Sequence, residues 1–404
     1  MNAEMPIAAF FPGELPELQF TLKVASRCNL NCSYCYVYNK GDESWRDRPG
    51  LMPEKVFRAT IERIREHCLA TGQQTIDIVF HGGEPTLIGK ARFARWCDYL
   101  RDRLGDVGSI KLTLQTNGVL IDAEWAAILA RCEVVVGISL DGPQAINDRA
   151  RVDKNGRGSH DAVVSGIDCL RRAGLPINLL CVVQLGADPI LIHEHMVALG
   201  ATSISYLIPD QTHDTVTAEQ RSFGPTPCAD FLIPILDHWL DGSDARLTVQ
   251  PFKAMARTVL GGEARVDFLG NNPYRFVFVE ADGSIEGLDV LRICAPGLAV
   301  TSLNVFDNAF ADIMGADPVH RRMIVEGMPL PTDCGGCPEA TTCAGGYVPH
   351  RWANDHFDNR SAWCADLLAL YTHLRGRLGV PADETDMRRD VLRRMREEAL
   401  AACG

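Results

Sequence analysis

The chain has 404 residues, 46% hydrophobic and 23% charged, the balance of an ordinary soluble globular protein with material for two or three domains. No apolar run approaches the ~18 residues of a membrane span, and "MNAEMPIAAFFPGELPEL" lacks the basic start of a secretory signal, so a cytoplasmic protein with no membrane partner is expected. With 40 basic against 52 acidic residues, net charge −12, no basic tract offers a nucleic-acid surface.

Residues 1–17 read as an N-terminal arm. From 18 to 242, short β-rich runs alternate with amphipathic helical patterns. The predicted strands are 18–24, 75–81, 110–116, 134–140, 177–183 and 202–208, with helices near 53–70, 90–104, 122–131, 159–173, 188–199 and 227–240. Six β/α units in series predict an α/β fold, a partial (β/α)6 TIM-like barrel with a parallel sheet and helical crossovers. Residues 243–270 read as a linker with one helical piece, and 271–377 as an α+β, cysteine-rich extension. That extension opens with a β-hairpin turning at Asp282-Gly283 and closes with a helix over 361–377. Residues 378–404 form a charged C-terminal helix.

In such barrels chemistry gathers at the C-terminal ends of the strands. The unusual words of this sequence fall there: "SRCNLNCSYC", "HGGEP", "TNG", "SLDGP" and "LIPDQTHD". Fifteen cysteines is a high and odd count, and in a reducing compartment clustered cysteines read as metal ligands or catalytic groups rather than disulfides. Cys28, Cys32 and Cys35 cluster early, and Cys334, Cys337, Cys343 and Cys364 late. Cys68, Cys97, Cys132, Cys169, Cys181, Cys228 and Cys403 are scattered and read as small buried hydrophobes.

Iron–sulfur cubanes commonly take four thiolates. Three leave one iron open to a substrate or cofactor, and "CNLNCSYC" matches the signature of radical S-adenosylmethionine (SAM) enzymes, in which SAM fills that place. The resemblance implies a [4Fe-4S] cluster at Cys28, Cys32 and Cys35, with SAM as its partner. It implies SAM contacts from Tyr34 and from Gly82, Gly83, Glu84 and Pro85 of "GGEP". Asn117 and Ser139 would line the ribose and methionine side, with Arg149 or Arg151 at the carboxylate or ribose. Asp141, in "LDGP", reads as a turn former or a polar contact, the turn being favoured.

"CGGCPEATTCAGGYVPHRWANDHFDNRSAWC" resembles the SPASM extension of radical SAM enzymes that modify peptides and proteins. Cys334, Cys337, Cys343 and Cys364 match the ligands of its outer auxiliary cluster. The inner cluster's pattern does not match, since Tyr347 and Leu288 stand where cysteines are expected. One auxiliary [4Fe-4S] cluster is therefore expected, with zinc as the alternative for four thiolates. Cys294 is either a buried thiol or a substitute ligand. Asp289 follows Leu288 where the resembled family carries a general base, and reads as either that base or a solvated hairpin residue.

Longer words, among them "LKVASRCNLNCSYCYVYNKGDESWRDRP" and "CAGGYVPHRW…FDNRSAWCADLLAL", resemble the maturases that form cyclophanes in ribosomally made peptides. That resemblance implies hydrogen abstraction from a side-chain β-carbon and its joining to an aromatic ring of a precursor peptide. An electron donor such as flavodoxin or ferredoxin would serve it. Epimerisation, formylglycine formation and a non-catalytic metal-binding peptide scaffold are the alternatives.

Overall fold

The computed structural model describes residues 17–242, 246–264, 266–269 and 273–403. The expected arm of residues 1–17 lies, but for its last residue, outside the described residues, as does part of the expected linker. In chain order the strands are β1 (Gln19–Ala25), β2 (Thr75–Gly82), β3 (Ser109–Thr116), β4 (Val134–Ser139), β5 (Ile177–Val182), β6 (Ala201–Leu207), β7 (Thr248–Val249), β8 (Phe276–Val279), β9 (Ser284–Glu286) and β10 (Val300–Asn304). The helices are α1 (Glu54–Thr71), α2 (Lys90–Leu104), α3 (Ala123–Arg131), α4 (Gln144–Ala150), α5 (His160–Arg172), α6 (Pro189–Ala198), α7 (Ala218–Ser222), α8 (Pro227–Asp241), α9 (Gln250–Val259), α10 (Pro318–Arg321), α11 (Cys364–Leu378) and α12 (Ala382–Cys403).

The described residues pack as two compact units. The first takes in those up to Leu180, with Leu199–Ala201 and Pro273–Gly327; the second takes in Cys181–Ala198, those from Thr202 to 269, and Met328 onward. In the first unit β1, β2, β3, β4 and β5 lie side by side and pair parallel. Pairing in chain order, with helices between, follows from crossovers too long for hairpins. β2 alternates, burying Ile76, Ile78 and Phe80. α1 buries Val56, Phe57, Thr60, Ile61, Ile64 and Cys68, one face at helical spacing, and ends at Gly72 in the left-handed conformation. Phe57 of that face stacks on Trp96 of α2 with centroids 4.0 Å apart.

The hairpin of β8 and β9 forms where expected, but it belongs to the first unit's sheet. β8 pairs parallel with β1 (Gln19 with Phe276 through Leu22 with Val279), and β10 pairs antiparallel with β9. Its partner strand lies more than two hundred residues earlier, and no local pattern announces such a pairing. In the second unit β6 pairs parallel with β7, and the Val183 N–H donates to Leu207 O at 2.9 Å. α8 and α11 pack together there, with Asp366 of α11 accepting from the N–H groups of Cys228 and Ala229 at the start of α8 (2.6 and 2.9 Å). No helix among the described residues is long and apolar enough to cross a membrane. Cys68, Cys97, Cys132, Cys181 and Cys228 are buried and Cys169 half-buried, as small hydrophobes would be.

Candidate functional site

The loop after β1 carries Cys28, Cys32 and Cys35, all half-buried. Backbone hydrogen bonds fix it: Asn31 N to Val152 O at 2.7 Å, Ser33 N to Ala150 O at 3.1 Å, and Asn39 N to Cys35 O at 2.9 Å. The Asn39 side-chain amide donates to Cys32 O at 2.8 Å. Cys28 Sγ accepts from Leu30 N at 3.4 Å and Asn117 Nδ2 at 3.7 Å, and Cys35 faces the N–H groups of Tyr38 and Val37. Burial pushes the Cys28 thiol up to about 12, and raises Cys32 and Cys35 as well. Each thiol is sheltered from water, and Cys28 and Cys35 are met by N–H donors. Such groups gain their charge from a bound cation, and the donor set suits an iron–sulfur cluster.

"GGEP" closes against this loop. Gly82, at φ +128°, and Gly83 sit where a Cβ would lie 2.2 Å from Ala25 O and 1.9 Å from the Tyr38 hydroxyl, respectively. Gly83 N donates to Ala25 O (2.7 Å) and Glu84 N to Arg27 O (3.0 Å). The glycines are thus required by the close approach of the two chain segments. Glu84 was expected at the cofactor, yet both its oxygens are turned inward. They accept from Thr86 N and Oγ1 (2.9 and 2.6 Å), Thr116 Oγ1 (2.7 Å) and Asn117 N (2.7 Å). The residue braces the ends of β2 and β3. Pro85 is buried at the head of the 3-10 turn Pro85–Ile88, and Ser139 Oγ accepts from Gln115 Nε2 at 3.2 Å.

A second polar chain flanks the cysteines. Arg151 Nη1 donates to the Tyr34 hydroxyl (2.9 Å), which donates to Asp141 Oδ2 (2.6 Å). Arg151 is buried, its Nε has no hydrogen-bond partner among the described residues, and its charge draws the Cys32 thiol downward against burial. Arg149 is exposed on α4 and takes no part in this chain, so of the two expected arginines only Arg151 adjoins the cysteines. Asp141 is buried and accepts from Tyr34, the polar contact of its two readings.

Asp289 opens the 3-10 turn Asp289–Ile293 and is 2% exposed, which removes the solvated reading. Its Oδ2 accepts from Lys23 Nζ at 2.7 Å and from the Tyr36 hydroxyl at 2.6 Å. Burial pushes this carboxyl up, but Lys23, His81 and Arg292 outweigh it and hold Asp289 below the usual carboxylate range. Lys23 also reaches Glu280 Oε1 at 3.1 Å, which takes Arg48 Nη1 (2.7 Å) and Arg292 Nη2 (3.0 Å). Glu286 pairs with the same two arginines. The sequence reading missed Lys23, Tyr36 and His81. The signal was present for one of them: a lysine within the apolar run "LQFTLKV" must find a buried partner.

In the second unit Cys334 is buried, and Cys337, Cys343 and Cys364 half-buried. Ala344, Gly345 and Gly346 all have positive φ (51°, 84°, 70°), curling the chain beyond Cys343. Arg351, 1% exposed, donates into that curl: Nε to Gly345 O (3.2 Å), Nη2 to Ala344 O and Gly346 O, Nη1 to Pro329 O (3.1 Å). Burial pushes the Cys343 thiol up to about 12, with Cys364 and Cys334 adding to it and Arg351 opposing. Cys364 heads α11, and burial raises its thiol as well, with Arg360 opposing. Tyr347 is buried and packs edge-on against His350 with centroids 5.1 Å apart. In the first unit Leu288 is buried and Cys294 is half-buried. Among the described residues no three His, Cys, Asp or Glu side chains converge on a single ion-sized point.

Residues 22–196 match the model of the Radical SAM superfamily. A cysteine-type anaerobic sulfatase-maturating enzyme of Clostridium perfringens is 27% identical over 286 residues, 68% of this chain and 75% of that protein. A serine-type enzyme of Bacteroides thetaiotaomicron is 23% identical over 366 residues, 86% of each. Among solved structures, a histidine-tagged anSMEcpe with bound AdoMet superposes with TM-score 0.77 at 23% identity, covering 91% of this chain and all of that one. Streptococcus suis SuiB bound to precursor peptide SuiA gives 0.58 at 14% identity, covering 86% and 76%. The fold is therefore defined: the chain has the radical SAM α/β fold, parallel strands with crossover helices and a C-terminal extension. Among proteins of known activity, the chain is similar in sequence to anaerobic sulfatase-maturating enzymes.

Proposed function

We propose that this protein is a radical SAM enzyme that oxidises a residue of a peptide, with Cys28, Cys32 and Cys35 holding a three-thiolate [4Fe-4S] cluster. The observation that carries the reading is the three sheltered thiols at the end of β1, with no fourth cysteine in their loop. Bound there, the cluster and SAM supply a 5′-deoxyadenosyl radical that removes a hydrogen atom. Asn117 and the buried Arg151–Tyr34 pair, which adjoin the cysteines, would meet SAM. Gly82, Gly83, Glu84 and Pro85 shape the wall, and Ser139 lines the adjacent strand end.

Asp289 is the base. Its carboxylate is kept charged by Lys23 and aimed by Tyr36, so it can take the proton a carbon radical sheds when it gives up its electron. Cys334, Cys337, Cys343 and Cys364 would hold one auxiliary [4Fe-4S] cluster to accept that electron. The buried Leu288 and Tyr347 speak against an inner cluster. The substrate is a ribosomally made precursor peptide, and the product a cyclophane joining a β-carbon to an aromatic ring. Formylglycine formation is the second reading, favoured by the similarity to sulfatase-maturating enzymes.

Both reactions begin at a β-carbon and both end with loss of a proton and an electron. Mass spectrometry of the co-expressed peptide separates them. A crosslink and a serine-derived aldehyde each remove two hydrogens, but only the aldehyde reacts with a hydrazine. Hydrazine labelling would overturn the cyclophane reading; an unlabelled, crosslinked peptide supports it.

A further inference from the structure

Four buried polar atoms lack hydrogen-bond partners among the described residues and belong to residues lining one cavity: Ser26 Oγ, Tyr38 Oη, Trp45 Nε1 and Arg292 Nη1. Gly82, Gly83, Lys23, Arg48 and Glu280 line the same cavity. Its volume is ≈ 10 Å³, about the smallest space that takes one water molecule. Leaving such groups unsatisfied costs roughly 1–3 kcal/mol each, so four on residues that line one small space call for a common partner.

We propose that this cavity is a binding site for a single water molecule. The chemistry of the four groups selects it. An indole N–H and a guanidinium N–H can only donate, so the occupant must accept from Trp45 and Arg292. The hydroxyls of Ser26 and Tyr38 can accept in return, which completes a tetrahedral set of two bonds received and two given. An anion would have to compete with carboxylates already in place. Lys23 is held by Glu280 and Asp289, Arg48 by Glu280 and Glu286, and Arg292 by Glu280 and Glu286.

The water's place gives it a role. Ser26, Tyr38 and Trp45 belong to the segment that carries Cys28, Cys32 and Cys35, and Arg292 to the turn that begins with Asp289. One molecule therefore pins the cysteine loop to the turn bearing the carboxylate, without adding charge to a buried ion network.

The test is a crystal structure of the anaerobically reconstituted protein at a resolution that shows ordered water, with a second crystal grown in bromide. One peak within hydrogen-bond distance of at least three of the four atoms, with no anomalous bromide signal, is the expected result. A dry cavity overturns the proposal. A bromide peak also overturns it, by making the site one for a small anion.

Discussion

The two cysteine sites are built on opposite plans. In the first unit three cysteines sit in a loop whose neighbours are titratable groups and a buried arginine: Tyr34, Asp141 and Arg151. In the second unit four cysteines accompany a chain curl locked by Arg351, whose donors are spent on backbone carbonyls. One site keeps polar groups beside its thiols, with Arg151 Nε unpartnered among the described residues. The other uses its arginine to fix its own backbone. Burial raises thiols in both, so shelter is shared; what differs is the number of cysteines and what the nearby cation is free to do.

The comparison breaks most visibly if the two sets of cysteines are exchangeable. Cys32→Ala should abolish dithionite-driven 5′-deoxyadenosine formation, measured by liquid chromatography. Cys343→Ala should leave that cleavage in place, abolish peptide oxidation, and lower iron from about eight to about four per chain. Unchanged peptide oxidation with that iron loss would remove the auxiliary site from the reaction.

Asp289→Asn comes next. Loss of the base should cost about 10²–10⁴-fold in peptide modification while SAM cleavage stays near wild type. The carboxyl is held below its usual range, so the proposed base should act throughout neutral pH and fail only as pH falls through that depressed value. The same sign holds for stability: what Asp289 contributes is present above its unfolded pKa and lost as pH falls through its folded one. Lys23→Met removes the neighbouring cation and should move the acid limb of the pH profile upward, whereas a merely structural Lys23 would leave its midpoint unchanged.

Arg351→Met should cost about 2–4 kcal/mol of stability, read by denaturant unfolding, because it orphans buried carbonyls around Cys343. The iron of the first site should be retained. The smallest effect is expected from Arg149→Ala, an exposed residue, which should alter SAM cleavage less than Arg151→Ala does.

Much of this was legible in the sequence because it is local. The six strands and their crossovers announce themselves by periodicity, and three cysteines in one short loop announce a ligand set. What was not legible is held by partners far away along the chain. Tyr36 and Lys23 meet Asp289 only because β8 returns to pair with β1. Glu84 looked like a ligand contact in "GGEP"; its four internal donors come from Thr86, Thr116 and Asn117, two of them on or beyond β3. A buried carboxylate and a ligand-facing one are the same letter in a sequence.

The central claim is that the first cysteine site is open and the second closed. Electron paramagnetic resonance of the reduced protein, with and without SAM, tests it directly. In the Cys343→Ala variant the remaining cluster's signal should change on adding SAM; in Cys32→Ala it should not. A SAM-dependent change in Cys32→Ala, or none in Cys343→Ala, would contradict the account.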